Sequence, residues 1–516
     1  MERTNEQVTL LKRQGRISGN FYLVNFAVLL RSLGMMVLLL GAAMVLSIVL
    51  ASIIPTGKGH DTGLHLSGWW LSIGIAVGLG AALWGGGKYL GNHSKRPGTM
   101  RRREAMALVG AGWVVCSLIG ALPYLLCEPH ATLPDALFES VSGLTTTGAT
   151  VFSDLASLPK SILMWRSVTQ WVGGMGILAI FVVVLSGMTS SSKTLIGAES
   201  SLANSDISSL RQTMRQIWAL YLVFTFVCGI GLYLFGLTPF QSVNYALTAV
   251  ATGGFGTESD SVGAIFTVGS KMWLIIFMVL GAISFPFYLI LMRRRFSDLG
   301  KRFEEVWWFL GMLGFFIVSM LIVKATGGTE VAAIDLVFNL VSIGTSTGYV
   351  SDDYDQWNRL GIGIILLFMM IGGCSGSTSG GLKMSRVLLF FRYVSSGLSR
   401  SFRPQAVSPV KLNGRQVADE TASQLFLVLT LFGFFGIAGT MLFQLFDPQL
   451  SLTGAVSGVM SCLGNIGPAF AEMGPTESVG GISTPSKFLF VCLMILGRLE
   501  YVALLVLFLP SLWKRY

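Results

Sequence analysis

Long apolar runs alternate with short polar ones, and the order of the runs repeats. Runs at about residues 29–54 and 68–91 are each long enough to span a ~30 Å hydrocarbon core as helices. Four units of one design then follow: a long apolar run, a shorter one of about three turns, a polar glycine-containing turn, and a second long run. Unit one has runs at 104–127, 134–145 and 160–188 with its turn at 146–150. Unit two has runs at 213–237 and 270–292, and Thr238-Pro239 opens its short helix in the cap-then-proline order of a helix start. Unit three has a run at 305–325, a short helix over Ile334–Ile343 with Asp335 as its cap, and a second run from Trp357. Unit four has runs at 420–446, 453–464 and 487–511. The expected fold class is an all-α polytopic membrane protein: four pseudo-fourfold membrane–pore loop–membrane repeats around one pore, preceded by two extra transmembrane helices. Its boundaries fall at 1–28 (a cytoplasmic tail), 29–103 (the leading pair and a basic loop), 104–212, 213–303, 304–417 and 418–516.

The turns carry the candidate chemistry. In unit three the turn is Ser346-Thr347-Gly348-Tyr349. Setting Gly148, Gly254, Gly348 and Gly467 in register places Thr146-Thr147, Thr252-Gly253, Ser346-Thr347 and Asn465-Ile466 before them. In units one and three the register extends back to Asp135 with Asp335 and Phe138 with Phe338. A unit of roughly one hundred residues recurring four times is an architecture. A short helix followed by an irregular turn reads as a re-entrant hairpin. Lipid cannot satisfy irregular backbone, so the turn must be buried in protein or line a watery path. Carbonyls at the negative end of a half-helix suit a cation. Glycine tolerates the positive φ that turns a carbonyl inward.

The second run of unit three is interrupted by GGCSGSTSGG: Gly372, Gly373, Cys374, Ser375, Gly376, Ser377, Thr378, Ser379, Gly380 and Gly381, with Lys383 shortly after. Glycine costs ~1 kcal/mol relative to alanine in a helix, so no continuous helix is expected there. Residues 358–371 supply only ~21 Å of helix, which leaves the glycine segment at membrane depth. It reads as a movable barrier or as a packing break. A nucleotide-binding loop is excluded, because Lys383 lies outside the GxxxxGK[ST] spacing and no strand leads in.

Composition sharpens the membrane assignment. The 516 residues are 52% hydrophobic and only 12% charged, about half the charge of a soluble domain, with 62 glycines. The net charge of +10 does not point to nucleic acid, because the basic residues cluster in alternate loops, as cytoplasmic loops do. That pattern, with ten spans, puts both termini inside and the turns entering from outside. The outer segments carry Glu128, Asp135, Glu139, Asp154, Glu258, Asp260, Asp352, Asp353, Asp355, Asp447 and Glu472, an acidic mouth that would concentrate cations. Residues 383–420 form the largest basic surface, set either for topology or for docking a soluble partner. The six cysteines show no ligand spacing, and no HExxH or GxSxG motif appears, so neither a metal centre nor an enzyme is expected. Arg498 stands in the last apolar run, where a charge either pairs with an acid or faces a cavity.

The turns TTTGAT, ATGGFGT, TSTGYVS and NIGPAF, the broken GGCSGSTSGGLK run and the GRLE of the last run together resemble the Trk/Ktr/HKT superfamily of potassium transporters. The two leading spans make the chain most similar to its bacterial TrkH/TrkG branch. The resemblance implies potassium as the transported ion, held at filter carbonyls around Gly148, Gly254, Gly348 and Gly467. It implies an intramembrane gate over residues 372–382 and a pore arginine at Arg498. It also implies a homodimer in the cell inner membrane, docked on a cytosolic TrkA-type nucleotide-binding ring, with any nucleotide acting through that partner and no covalent cofactor. A coupled symporter of potassium with sodium or protons is the alternative.

Overall fold

A computed structural model describes residues 24–55, 64, 66–92, 100, 102–128, 131–186, 207–263, 265–294, 299–300, 302–327, 330–403, 409–417, 419–475 and 477–513. Most of the N-terminal tail, the basic clusters at Lys95–Arg96 and Arg101, the linker over 187–206, and Lys514-Arg515 lie outside the described residues. Among the described residues the fold is helical, with one two-stranded hairpin, β1 (Lys411–Leu412) and β2 (Arg415–Gln416).

The leading helices are α1 (Phe26–Ile53) and α2 (Leu66–Asn92). Small residues let them touch backbone to backbone: a Cβ on Gly34 would lie 2.4 Å from the Trp84 amide nitrogen. Unit one contains α3 (Arg102–Gly120) with its short continuation α4 (Leu122–Cys127), the half-helix α5 (Leu133–Leu144) and the closing helix α6 (Lys160–Ser186). Unit two contains α7 (Ile207–Leu234), half-helix α8 (Pro239–Val250), and α9 (Val268–Ala282) followed by α10 (Phe285–Met292). Unit three contains α11 (Glu304–Ala325), half-helix α12 (Ala333–Gly344), α13 (Arg359–Ile371) and α14 (Met384–Phe402). Unit four contains α15 (Asp419–Phe446), half-helix α16 (Leu452–Gly464), α17 (Thr484–Arg498), α18 (Val502–Leu505) and α19 (Pro510–Trp513).

Among the described residues, six helices are long and apolar enough to cross a membrane, and two bent pairs reach that length together. The 27-residue α6 and the α13–α14 segment occupy the places of the other two expected spans. Large apolar side chains face outward along these helices, with Phe226 70%, Phe315 66% and Met441 69% exposed, as a lipid-solvated surface requires.

Two runs read as straight are bent. α9 and α10 meet at 95°, and α17 meets the following segment at 111°. Pro286 has no N–H to offer the Ala282 carbonyl, and its ring blocks a continuous turn. In unit four, Glu500 and Tyr501 both take positive φ, 53° and 66°, which ends α17. With the glycine break after α13, the closing helices of units two, three and four all break, whereas α6 is one helix.

The half-helices are positioned from their N-termini. Thr132 with Asp135, and Thr238 with Gln241, form capping boxes on α5 and α8; Ser451 Oγ accepts from the Gly454 N–H on α16. Asp335 is not a cap, contrary to the sequence reading. It is the third residue of α12, and its carboxylate meets Lys271 Nζ of α9 at 2.5 Å. Asp135 meets Lys487 Nζ of α17 in the same way at 2.7 Å. The closing helix of unit two thus braces the half-helix of unit three, and that of unit four braces unit one, which closes the order of units into a ring. The aligned Phe138 and Phe338 are fully buried behind the turns.

Candidate functional site

The four turns share one backbone. A residue just past each half-helix is left-handed: Thr146 (φ 55°), Thr252 (50°), Ser346 (55°) and Asn465 (52°). The next amide reaches back five residues, Thr147 to the Ser142 carbonyl, Gly253 to Thr248, Thr347 to Ser342 and Ile466 to Ser461, at 2.8–3.0 Å. This is the Schellman closure of a helix C-terminus. The following glycine also takes positive φ: Gly148 88°, Gly254 82°, Gly348 84° and Gly467 104°.

These glycines pack around a closed circle. A Cβ on Gly148 would lie 2.3 Å from the Gly253 carbonyl oxygen, and one on Gly254 2.1 Å from that of Thr347. A Cβ on Gly348 would lie 1.9 Å from the Ile466 oxygen, and one on Gly467 2.6 Å from the Thr147 oxygen. No side chain fits at any of the four positions, for two independent reasons: φ and the neighbouring carbonyl. Asn465 Nδ2 further ties turn four to turn one, donating to Thr147 Oγ1 at 3.1 Å and to the Met494 carbonyl at 2.9 Å. One cavity touches all four glycines and is walled by Thr150, Arg166, Phe255, Glu258, Val350, Pro468 and Glu477.

That mouth is less of a free acidic field than the sequence suggests. Glu139 is fully buried; it accepts from the Val151 N–H at 2.8 Å and pairs with Arg166 at 3.2 Å. Asp447 accepts from the Ser483 N–H and Oγ at the start of α17. Burial raises its carboxyl, but hydrogen bonds from Ser486 and Ser483 outweigh that and hold it below the usual range. Glu472 is held low mainly by the Ser451 hydroxyl. Asp355 Oδ2 accepts from the Ala471 N–H at 3.0 Å. These acids shape the mouth by binding backbone.

On the opposite face the glycine loop, residues 372–383, lies directly against the turns. Gly380 N–H donates to Ser346 Oγ at 2.6 Å, Ser346 Oγ meets Ser379 Oγ at 3.0 Å, and Thr252 Oγ1 meets Thr378 Oγ1 at 3.2 Å. The α9–α10 bend holds the loop. Pro286 leaves the Ala282 carbonyl without a helical donor, and Cys374 N–H takes it at 2.9 Å. Thr378 N–H and Oγ1 bind the Gly281 carbonyl, and Phe285 N–H binds the Gly376 carbonyl at 3.0 Å. Within the loop, Ser377 Oγ bonds the Cys374 carbonyl, Gly373 N–H bonds Ser379 Oγ, and Ser375 Oγ meets Ser385 Oγ. Close approach, rather than flexibility alone, dictates the glycines. A Cβ on Gly372 would lie 2.2 Å from the Gly380 oxygen, one on Gly380 2.1 Å from the Gly464 oxygen, and one on Gly381 2.8 Å from Gly372 Cα.

Two cations hold the loop from below. Arg498 Nη1 donates to the Thr378 carbonyl at 2.9 Å and Nη2 reaches the Gly173 carbonyl at 3.4 Å. The arginine therefore engages carbonyls, not the acid partner that sequence reasoning allowed for. Lys383 Nζ bonds the Ser379 carbonyl. The neighbouring Glu500 instead pairs with Arg386 at the loop's exit, at 2.5 Å.

The profile of the TrkH family, described as a cation transport protein, matches residues 80–515. The chain belongs to the TrkH family. Its relatives include the Trk system potassium uptake protein TrkH of Salmonella typhimurium, 29% identical over 504 residues, spanning 95% of this chain and 100% of its own length. The TrkH of Halomonas elongata is 30% identical over 508 residues with the same coverage. The crystal structure of the potassium transporter TrkH from Vibrio parahaemolyticus matches with a TM-score of 0.81 at 25% identity, spanning 95% of this chain and 100% of that one. These relatives are named for transport, a non-enzymatic function.

In this TrkH-family chain the structure brings all the sequence-selected turn residues into one ring and sets the loop and Arg498 on one face of it. Sequence reasoning missed Arg166 and Gln170. Gln170 Nε2 donates to the Gly253 carbonyl at 2.6 Å, and its Oε1 accepts from the Phe255 N–H at 3.1 Å. The available signal was a polar pair one helical turn apart inside an apolar run.

Proposed function

We propose that this chain takes up potassium across the cell inner membrane, with the ring of four turns as selectivity filter and the 372–383 loop as gate. The observation that carries the reading is the ring: four half-helix C-termini meet at one place, each presenting a carbonyl beside a glycine that admits no side chain. The half-helix dipoles favour a cation there, and carbonyls can replace its water shell. The names of the relatives support potassium as that cation.

The gate acts by displacement. The loop covers one face of the ring through hydrogen bonds to Thr252, Ser346 and the carbonyls of Gly281 and Ala282, all of which a modest movement can exchange for water. Arg498 holds the loop in place and puts a positive charge beside the path. The face beyond the loop carries Arg386, Arg392 and Arg400 on α14 and the β1–β2 hairpin, and α14 leaves Phe391 and Leu398 exposed. That face is the cytoplasmic one, with both termini on it, and it receives a nucleotide-binding ring of the TrkA type beneath a homodimer.

The test is ion flux into liposomes holding only this protein, under inward potassium and then sodium gradients, with and without a proton shunt. Passive flux that prefers potassium and ignores the shunt is expected. Flux that requires sodium or protons would overturn the channel-like reading in favour of coupled symport.

A further inference from the structure

We infer that Gln170 is a positioning residue for ion preference: its carboxamide stiffens the one turn that lacks a side chain to do so. The inference rests on the reading of the ring as the selectivity filter. At the ring-carbonyl position, turns one, three and four carry β-branched Thr147, Thr347 and Ile466, whose backbone freedom is restricted. Turn two alone has two successive glycines, Gly253 and Gly254, and a peptide between glycines rotates most freely.

Gln170 compensates from outside the turn. It is fully buried, and it bonds the Gly253 carbonyl at 2.6 Å and the Phe255 N–H at 3.1 Å, so that it brackets Gly254. Among the described residues, Gly253 is the only member of the carbonyl ring that accepts a side-chain hydrogen bond. The fit is mutual: a Cβ on Gly253 would lie 2.4 Å from the Gln170 carboxamide carbon. One helical turn earlier, Arg166 donates to the Gly256 carbonyl at 3.1 Å and covers the Phe255 ring at 4.0 Å.

The closing helices of units two and four offer no such donor. Gly173, Gly281 and Gly497 occupy one position, each facing the carbonyl two residues before the left-handed turn residue: Leu144, Val250 and Leu463. Three residues before them stand Gln170, Met278 and Met494, and the two methionines are buried and have no hydrogen to donate.

The experiment compares potassium and sodium flux in liposomes for the unaltered chain, Gln170→Ala, the bulkier Gln170→Met, the double variant Gln170→Ala with Gly253→Thr, and Gly348→Ser. With the clamp gone, the potassium-to-sodium ratio should fall on the order of tenfold, the worth of one buried hydrogen bond, through a rise in sodium flux. Restoring a β-branched residue in the double variant should recover the ratio. Loss of both fluxes together in both single Gln170 variants would reduce Gln170 to a folding role and overturn the inference. So would a ratio within about twofold of the unaltered chain while Gly348→Ser abolishes preference. If Gly348→Ser also leaves the ratio intact, the filter reading itself fails.

Discussion

The ring of turns and the glycine loop are both irregular, glycine-rich backbone buried in the protein, yet they are held by different means. In the ring, each glycine is locked by a positive φ and by a carbonyl from the next unit, so movement of one turn collides with its neighbour. Close packing of this kind is bistable at best and resists gradual deformation. The loop exists in one copy. Its glycines are close-packed too, Gly372 and Gly381 at positive φ against the loop's own backbone and Gly380 against the Gly464 oxygen, but these contacts do not run on from unit to unit, and the loop's ties to the helix that breaks at Pro286, to Thr252 and Ser346 and to Arg498 are hydrogen bonds. Glycine content alone therefore does not mark a mobile segment. What separates the two is that the steric contacts of the ring pass from unit to unit and close on themselves, whereas the loop is joined to its neighbours largely by exchangeable hydrogen bonds.

Four perturbations act on the ring, the loop, the braces and the mouth in turn. The largest effect is expected for Gly148→Ala. A left-handed alanine costs about 1–2 kcal/mol before its Cβ meets the Gly253 oxygen, so potassium preference should collapse by tens-fold or more in liposome flux. Arg498→Ala acts on the exchangeable side. Losing a charge-assisted bond worth about 1.5–3 kcal/mol should raise flux of the chain alone roughly tenfold with the potassium-to-sodium ratio unchanged. A changed ratio would show that ring and loop are not separable. Lys271→Met leaves Asp335 without its partner and tests the braces behind the ring. Such a partly buried pair is worth about 1 kcal/mol, so the melting temperature in detergent should fall by a few degrees with little change in preference.

The smallest effect is expected from pH. Asp447 and Glu472 have carboxyl groups held below their ordinary range, so they add stability above the unfolded-state value of about 4 and lose it as pH falls through the lower folded-state value. Thermal stability should therefore stay flat from neutrality down to about pH 5 and decline below about pH 4. A decline already at neutral pH would mean that other groups govern the mouth.

Much of this architecture was written locally. The four glycines were legible because they recur in register after short apolar runs, where a turn needs the positive φ that glycine tolerates, and apolar run lengths disclosed the helices. The bends of α9 and α17 were not, because a proline or a pair of left-handed residues near the end of an apolar run leaves its composition unchanged. Asp335 was legible as important but misplaced as a cap, since its partner, Lys271, lies in the preceding unit. Arg166 was invisible as the mate of Glu139, because the two come from separate helices and nothing in the spacing brings them together.

The membrane character of the chain, the fourfold recurrence, the glycine turns and the interrupted helix are all readable from local pattern, because each rests on interactions within a few residues of chain. Which carbonyl each glycine faces, which broken helix holds the loop, and the grip of Arg498 on the Thr378 carbonyl rather than a carboxylate come from contacts between units far apart in the chain. Those choices depend on how separate units meet around one axis, a geometry that packing fixes and that no local pattern encodes.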